Sequence, residues 1–250
     1  MNRFLGLTGI FALLFLVGTC LSFVSFAGLV SSDKSERTIF KVIESSEQAN
    51  SEEGKEDEKT SLGARTVIIP TPVWVIGSYD HEGKPNMMTS SWVGVCSSKP
   101  ASVMTCLREA TYTFGNIMER KAFTVNIPSE SLGHEAAYVG RISGRDVDKF
   151  MRTGLTPVKS ALVDAPYIKE FPLVIECQLK QTIELGSHTM FIGEIMDVKA
   201  DRSVLSEGGV PDIAKLKPFV FTPGSSKFYG IGKYLGNVSD LAKEAEKRWR

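Results

Sequence analysis

From residue 65 onward, short runs of apolar residues alternate with polar turns, and few of these runs have the periodicity of a helix. The runs are rich in β-branched and aromatic residues, which favour extended backbone, and they therefore predict short strands. They cover Val73–Tyr79, Met87–Val95, Ser102–Leu107 and Ala122–Ile127. Two longer runs, Leu173–Leu185 and His188–Ala200, flank Gly186-Ser187, which predicts a β-hairpin. Many short strands with few long helices are typical of a closed or partly closed barrel, so the predicted fold is mainly β, a β-barrel with short helices.

Helical patterns are short. Thr113–Arg120 and Ser131–Val139 predict two short helices, the first of them capped by Thr111 or Thr113. Residues 237–250 predict a third helix. Its apolar residues recur at helical spacing with charged residues between them, namely Val238, Leu241, Ala245 and Trp249. We expect this C-terminal helix to dock on the surface of the domain through that single stripe.

Residues 4–30 contain no charged residue, and only Arg3 and the amino terminus precede them. As a helix this segment would span roughly 40 Å at ~1.5 Å per residue, which is longer than a bilayer core. Residues 1–30 therefore predict either a secretory signal peptide cleaved after Ala27 or an uncleaved membrane anchor. Leu16–Cys20 is similar to a lipoprotein processing site, a weaker third interpretation because Thr19 is a poor residue before the cysteine. Basic residues on both sides leave the orientation in the membrane undecided.

Residues 31–64 are predicted to be an acidic disordered linker. Within them, Glu44–Lys59 contains seven acidic residues and two lysines and almost nothing apolar. Such a segment cannot bury enough surface to offset the entropy lost on ordering. The folded domain is therefore predicted to cover residues 65–236, between this linker and the C-terminal helix.

Charge and cysteine content exclude some classes of function. The chain has 29 basic and 29 acidic residues, which argues against a nucleic acid as partner. The four cysteines lack C-x-x-C spacing and the three histidines form no H-x-x-x-H pair, so no metal site is expected. Cys96 and Cys106 lie on neighbouring predicted strands. A disulfide between them stays open for an oxidising compartment, and free buried thiols are the preferred interpretation.

Two polar stretches carry the candidate chemistry. The first, Asn86–Trp92, follows the turn Asp80–Gly83 and places amide and hydroxyl groups on a predicted strand. Burying such groups unpaired costs roughly 1–3 kcal/mol each, so this strand either faces water or meets a polar ligand. The second stretch, Arg108–Thr113, is a predicted strand-to-helix junction. Guanidinium, hydroxyl and backbone N–H groups converge there as a phosphate requires, although an ordinary N-cap beside a surface arginine has the same local pattern.

These stretches occur together with Ser143–Phe150 (Ser-Gly-x-x-x-Asp-Lys-Phe) and His188–Ile195, and in this order they resemble the flavin reductase-like family over roughly residues 65–236. The resemblance implies an FMN-binding split barrel. It also implies the cofactor-binding residues, which are Asn86, Met88, Thr89, Ser91, Trp92, Arg108, Thr111, Tyr112, Thr113, Asn126 and His188. Ser143–Phe150 is expected to shape a loop over the flavin or a dimer contact, with Lys149 adding positive charge. No catalytic side chain is assigned, because the flavin itself carries the chemistry.

The function that the resemblance implies is a flavin-dependent oxidoreductase that passes electrons through bound FMN, as a homodimer. Two mechanisms stay open: a reductase that oxidises NAD(P)H, and a flavoredoxin-type carrier that exchanges electrons with a protein partner. A third possibility of another class is a non-enzymatic split-barrel binding module that has lost flavin chemistry. The apolar residues 4–30 imply an exported or membrane-anchored protein, which would separate it from cytosolic NAD(P)H.

Overall fold

The computed structural model describes residues 59–249. The predicted signal peptide or anchor and almost all of the predicted acidic linker lie outside these residues. No helix in the part of the chain described is long and apolar enough to cross a membrane.

Twelve strands form three antiparallel sheets within residues 59–249. The strands are β1 (Thr71–Pro72), β2 (Trp74–Tyr79), β3 (Pro85–Ser90), β4 (Val93–Ser98), β5 (Ala101–Leu107), β6 (Ala122–Ile127), β7 (Pro157–Lys159), β8 (Pro166–Ile168), β9 (Leu173–Leu185), β10 (His188–Ala200), β11 (Phe219–Thr222) and β12 (Lys227–Gly230). The helices are α1 (Tyr112–Arg120), α2 (Gly133–Arg141), α3 (Lys149–Thr153), α4 (Ile213–Leu216) and α5 (Val238–Arg248), with short 3₁₀ turns at Glu130–Leu132 and Arg202–Val204.

The main sheet has seven strands in the order β3-β2-β6-β9-β10-β5-β4. It curls so that edge strand β3 approaches β5, where the hydroxyls of Ser90 and Thr105 lie 3.1 Å apart. The smaller sheets are β1-β11-β12 and β7-β8. This architecture confirms the mainly β prediction.

The barrel interior is filled by side chains from the central strands and from α1. Phe123 and Phe191 are fully buried there, and each contributes about 1.5–3 kcal/mol by burial. Gly193 lies at a register shift between β9 and β10, and a Cβ at this position would come within 2.5 Å of the Phe123 ring. The close backbone approach explains why a strand that is otherwise β-branched and aromatic contains a glycine. A second cluster packs α2 and α3 against β2 and β3.

The strand predicted at Met87–Val95 is wrong, because the chain bends at Ser91-Trp92 and forms two strands, β3 and β4. The bend carries the chain from one edge of the main sheet to the other. Strand propensity continues through Val93 and Val95, so the residue types contained no signal for the break.

The C-terminal helix is confirmed at Val238–Arg248, but its docking is not. Val238 is 85% exposed and Trp249 is 82% exposed, so both ends of the apolar stripe are uncovered among the described residues of this chain. Leu241 is less exposed and lies beside Gly236, where a Cβ on that glycine would come within 3.1 Å of it.

Candidate functional site

The first part of the site is the start of α1. β5 ends at Leu107, and the chain turns so that the backbone N–H and the hydroxyl of Thr111 both donate to the Arg108 carbonyl, at 3.0 and 2.9 Å. Thr111 occupies the N-cap position as predicted, but its hydroxyl is used in this turn and caps no N–H of the helix. The first turn contains no acidic residue, and Arg108 is exposed beside it. Uncapped N–H groups and a guanidinium at a helix N-terminus form an environment suited to an anion.

Tyr112, the first residue of α1, is held from both sides. Its hydroxyl donates to Asp80 Oδ2 at 2.7 Å, and the Arg145 guanidinium lies 5.2 Å from the centre of its ring. Burial, followed by the hydrogen bond to Asp80, raises the pKa of Tyr112 to about 12, so the hydroxyl stays a donor. Arg145 Nη1 also donates to the Ala110 carbonyl at 2.9 Å. A second cation from a distant loop therefore lies at the same helix end.

Thr113 and Asn86 form a buried polar contact next to the start of α1. Asn86 Nδ2 donates to Thr113 Oγ1 at 2.9 Å and to Ser78 Oγ at 3.4 Å, and all three residues are buried. Asn86 Oδ1 is buried without a hydrogen-bond partner among the described residues. Gly144 passes so close that a Cβ there would lie 2.2 Å from this oxygen. A buried amide oxygen with no partner costs about 1–3 kcal/mol, so it is a candidate acceptor for a ligand donor.

Thr89 on β3 and Ser91 just after it line a cavity of about 320 Å³. Helix α2 presents its small residues Ala136, Ala137 and Gly140 to this cavity, and its last residue, Arg141, also lines it. Phe221 and Phe228 form the opposite wall, with ring centres 6.0 Å apart. The Thr89 hydroxyl donates to the Ala136 carbonyl, which joins β3 to α2.

A second cavity, of about 230 Å³, begins at Ser91 and is mostly apolar. Its walls include Trp92, Met104 and Cys106. The indole of Trp92 lies parallel to the His188 ring, at 6.3 Å between centres and 5° between planes. Thr189 pairs with Leu107 across the sheet, so His188 and Arg108 follow at the same end of the β5–β10 pair. Ser91 lines both cavities, and each has largely apolar walls with a few polar groups, as is typical of cofactor sites.

Two predicted contacts point into the protein instead. Met88 packs against the barrel core. Asn126 is fully buried; its Nδ2 donates to the Val75 carbonyl and to Thr124 Oγ1, and its Oδ1 accepts from the Ile168 N–H at 2.9 Å. Its amide therefore stabilises the β2–β6–β8 junction and has no free group for a flavin, so we correct its assignment to a structural one.

Lys149 also differs from its expectation. It does not project a surface charge, because it is only 3% exposed. Its ammonium donates to the Met87 carbonyl at 2.8 Å and to the Val139 carbonyl at 2.7 Å, so it joins β3 to the last turn of α2. Burial lowers the pKa of Lys149 to about 8.

The described cysteines are all free. Cys106 lies opposite Trp92, whereas Cys96 sits at the register shift of β4, several pairs along the strand. A disulfide between them is therefore excluded, and Cys96 is exposed where a buried thiol was expected. Within residues 59–249 no group of three or more His, Cys, Asp or Glu side chains could hold a metal ion.

The sequence interpretation missed Asp80, Arg145 and Phe221 as parts of the site. Asp80 was read only as a turn residue. Arg145 lies in the Ser143–Phe150 motif, so its loop was identified but its contact with Tyr112 was not. Phe221 belongs to a short strand without a distinctive pattern.

Comparison with known proteins agrees with this geometry. The family model of the flavin reductase like domain matches residues 65–226. The solved structure of flavoredoxin from Desulfovibrio vulgaris (Miyazaki F) is 48% identical, covers 74% of this chain and 100% of its own, and superposes with a TM-score of 0.71. A structure from Shewanella frigidimarina NCIMB 400, described as having a split barrel domain, is 26% identical, covers 68% of this chain and 85% of its own, and has a TM-score of 0.62. A ferric-chelate reductase (NAD(P)H) of Archaeoglobus fulgidus is 25% identical over 129 residues, which are 47% of this chain and 75% of that protein. The fold is therefore a split barrel.

Proposed function

The chain belongs to the flavin reductase-like family, and on that premise we propose that it is an FMN-binding oxidoreductase of the flavoredoxin type, which passes electrons through its flavin. The observation that carries the proposal is at the start of α1, where an uncapped, cation-flanked helix N-terminus lies next to a buried oxygen without a partner, Asn86 Oδ1. The phosphate and the polar chain of FMN need groups of these two kinds.

The residues present fit FMN at each of its parts. Arg108, Thr111 and the first-turn N–H groups of α1 would hold the phosphate, with Arg145 as a second cation nearby. Asn86 Oδ1 would accept from a ribityl hydroxyl and so gain the partner that it lacks within the described chain. Ser91 and Trp92 would border the ring where the two cavities meet, with His188 stacked behind the indole.

The chemistry belongs to the cofactor, since a bound isoalloxazine ring accepts and releases one or two electrons. The apolar walls around Trp92 and Phe221 would position the ring and exclude water from it. The cations at the start of α1 would neutralise the phosphate. Tyr112 keeps its proton well above neutral pH and therefore contributes no negative charge next to that phosphate.

Absorption spectroscopy of the full chain tests the proposal. After reconstitution with FMN and removal of free flavin, we expect the visible flavin bands to remain with the protein. Arg108→Ala and Thr113→Val should weaken retention, whereas Arg202→Ala, in a 3₁₀ turn after β10, should not. A folded protein that stays colourless would overturn the flavoprotein proposal and favour the non-enzymatic binding module.

For the electron donor we propose NAD(P)H or a reduced carrier protein, to be decided by assay. The similarity to a ferric-chelate reductase (NAD(P)H) supports the first, and the greater identity to a flavoredoxin supports the second. Anaerobic bleaching of the flavin bands by NADH or NADPH within seconds would favour a reductase. Bleaching only by a protein donor would favour a carrier.

We also propose a homodimer. One face of the β5, β9 and β10 strands carries a row of partly exposed apolar side chains, namely Met104, Cys106, Ile183, Leu185, Met190 and Ile192. Faces of this kind on a protein surface mark association sites. Ile183→Asp with Met190→Asp should halve the mass measured by light scattering, and Val210→Asp, an exposed position near α4, should leave it unchanged.

For the location we propose attachment to, or export across, a membrane through the apolar residues 4–30. Fractionation of cells expressing the full chain, with mass spectrometry of its amino terminus, tests this. A protein of full length found only in the cytosol would refute it.

A further inference from the structure

Asp80 is a buried carboxylate with three hydrogen-bond donors and a fixed position. It is 3% exposed, and its Oδ1 accepts from the N–H groups of Glu82 at 2.9 Å and Lys84 at 2.8 Å. Its Oδ2 accepts from the Tyr112 hydroxyl at 2.7 Å. Burial alone would raise the pKa of Asp80, but the hydrogen bonds from Tyr112, Lys84 and Glu82 outweigh it and hold the pKa below its ordinary value.

The same turn is fastened to the other end of α1. Arg120, the last residue of the helix, donates from Nε and Nη2 to the Asp80 carbonyl, at 2.9 and 2.6 Å. Helix α1 is therefore joined to one short turn at its first residue through Tyr112 and at its last through Arg120. A helix held at both ends has little freedom to move along its axis.

Contacts continue from Tyr112 to the proposed phosphate site. The Arg145 guanidinium covers the Tyr112 ring and bonds to the Ala110 carbonyl, next to the turn in which Thr111 donates to Arg108. The Tyr112 ring is therefore one of two contacts that hold the Arg145 guanidinium at this helix end, the other being the Ala110 carbonyl. Both carboxylate oxygens of Asp80 are occupied, so Asp80 itself has no free group for a ligand.

We propose that Asp80 is a positioning residue for the phosphate of the flavin: through the Tyr112 hydroxyl it orients the ring that carries Arg145 and so sets the phosphate-binding arrangement at the start of α1. This inference rests on the proposed FMN function. Asp80 would then help the site to select the phosphorylated form of the flavin, in addition to its role in the Asp80–Gly83 turn.

The test compares FMN with riboflavin, which has the same ring and ribityl chain but no phosphate. Asp80→Asn presents only one oxygen, so either Tyr112 or the backbone pair of Glu82 and Lys84 loses its acceptor. We expect the variant to bind FMN about tenfold more weakly, as for the loss of one hydrogen bond to a charged group, and riboflavin as well as before. Titration of flavin fluorescence with the full chain measures both affinities.

Tyr112→Phe removes only a hydroxyl and guards against a misfolded Asp80 variant. It should lower the FMN-to-riboflavin affinity ratio by the same factor, and the double variant should be no weaker than either single one, because both act through one contact. Asp212→Asn is the matched control, since it removes a carboxylate that caps α4 by accepting from the Ala214 N–H at 2.8 Å. Its ratio should equal that of the wild type.

The outcomes separate the two proposals. The positioning role is overturned, and the flavin function stands, if the wild type prefers FMN to riboflavin and both Asp80→Asn and Tyr112→Phe keep the same FMN-to-riboflavin affinity ratio. Equal weakening of both ligands also overturns it, because Asp80 would then act only on the fold. Wild type that binds neither flavin overturns the proposed function and this inference with it.

Discussion

Replacing Lys149 with methionine tests how a buried cation contributes to the strand that borders the proposed site. Lys149 Nζ donates to carbonyls of β3 and of α2 and is shielded from water, and methionine has a similar length without the charge or the donors. Two buried carbonyls then lose their donor, at about 1–3 kcal/mol each. Relief from burying the ammonium offsets part of this loss.

The pH dependence isolates the charge from the packing. Burial lowers the pKa of Lys149 to about 8 in the folded protein, from 10.5 for an unperturbed lysine. Between these values the unfolded chain binds more protons than the folded one. The free energy of unfolding of the wild type should therefore increase as the pH rises from 8 towards 10.5, and decrease as the pH is lowered towards 8. Relative to Lys149→Met, the free energy of unfolding should increase by about 2 kcal/mol between pH 7.5 and 9.5.

Urea unfolding of both proteins at half-unit pH intervals measures this difference. Ionisation of unfolded-state tyrosines, including Tyr112, whose pKa is raised in the folded protein, is common to both proteins and cancels in the difference between them. Lys159→Met, at an exposed position of β7, is the matched control and should run parallel to the wild type. If wild type and Lys149→Met also run parallel from pH 7.5 to 9.5, the lysine does not titrate in that window and our account of its burial is refuted.

Three further predictions follow from single contacts. Gly144→Ala places a Cβ 2.2 Å from Asn86 Oδ1 and 2.8 Å from the Tyr112 ring, and should lower the free energy of unfolding by about 1–3 kcal/mol. Gly133→Ala is the control and should leave this free energy unchanged, because its Cβ would have no atom within 4 Å; equal melting temperatures of the two variants would contradict the prediction. Asn126→Ala leaves the buried Ile168 N–H without its acceptor and should cost about 2–4 kcal/mol in urea unfolding; a loss below about 1 kcal/mol would argue against a structural role. In thiol labelling of the native protein, the exposed Cys96 should react first, and Cys177 should react only on unfolding because burial raises the pKa of its thiol. A protein mass that shows a Cys96–Cys106 disulfide would refute the assignment of these cysteines as free thiols.

The central strands were predictable from the residue types alone. β6, β9 and β10 have the bounds that the sequence predicts, because a residue that interrupts a strand lies before β6 and between β9 and β10. Lys121, with positive φ, separates α1 from β6, and Gly186 with positive φ turns the hairpin. The short strands β7, β8, β11 and β12 were not predictable. Three or four residues contain too little pattern, and these strands form because the rest of the fold brings their partners close.

The site divides in the same way. The turn from Arg108 into α1 is local, so the sequence could place a phosphate-type arrangement there. Asp80 and Arg145 reach Tyr112 from positions 32 and 33 residues away along the chain, and no local pattern encodes those contacts. Asn126 was misassigned for the opposite reason: an amide inside an apolar strand suits a ligand contact and a buried structural bond equally well, and only the neighbouring strands decide between them.

β3 shows how that decision is made once partners are known. Its polar residues looked alike in sequence, yet most of them are satisfied inside the protein: the Thr89 hydroxyl by Ala136, Ser90 by Thr105, and the Asn86 amide nitrogen by Thr113. One group is left over, because Asn86 Oδ1 is buried without a partner within residues 59–249, beside the start of α1. Ser91 follows β3 and is only half-buried, so water can satisfy its hydroxyl. Because an unpaired buried acceptor costs about 1–3 kcal/mol, the Asn86 oxygen is the group of this strand at which a ligand donor gains most.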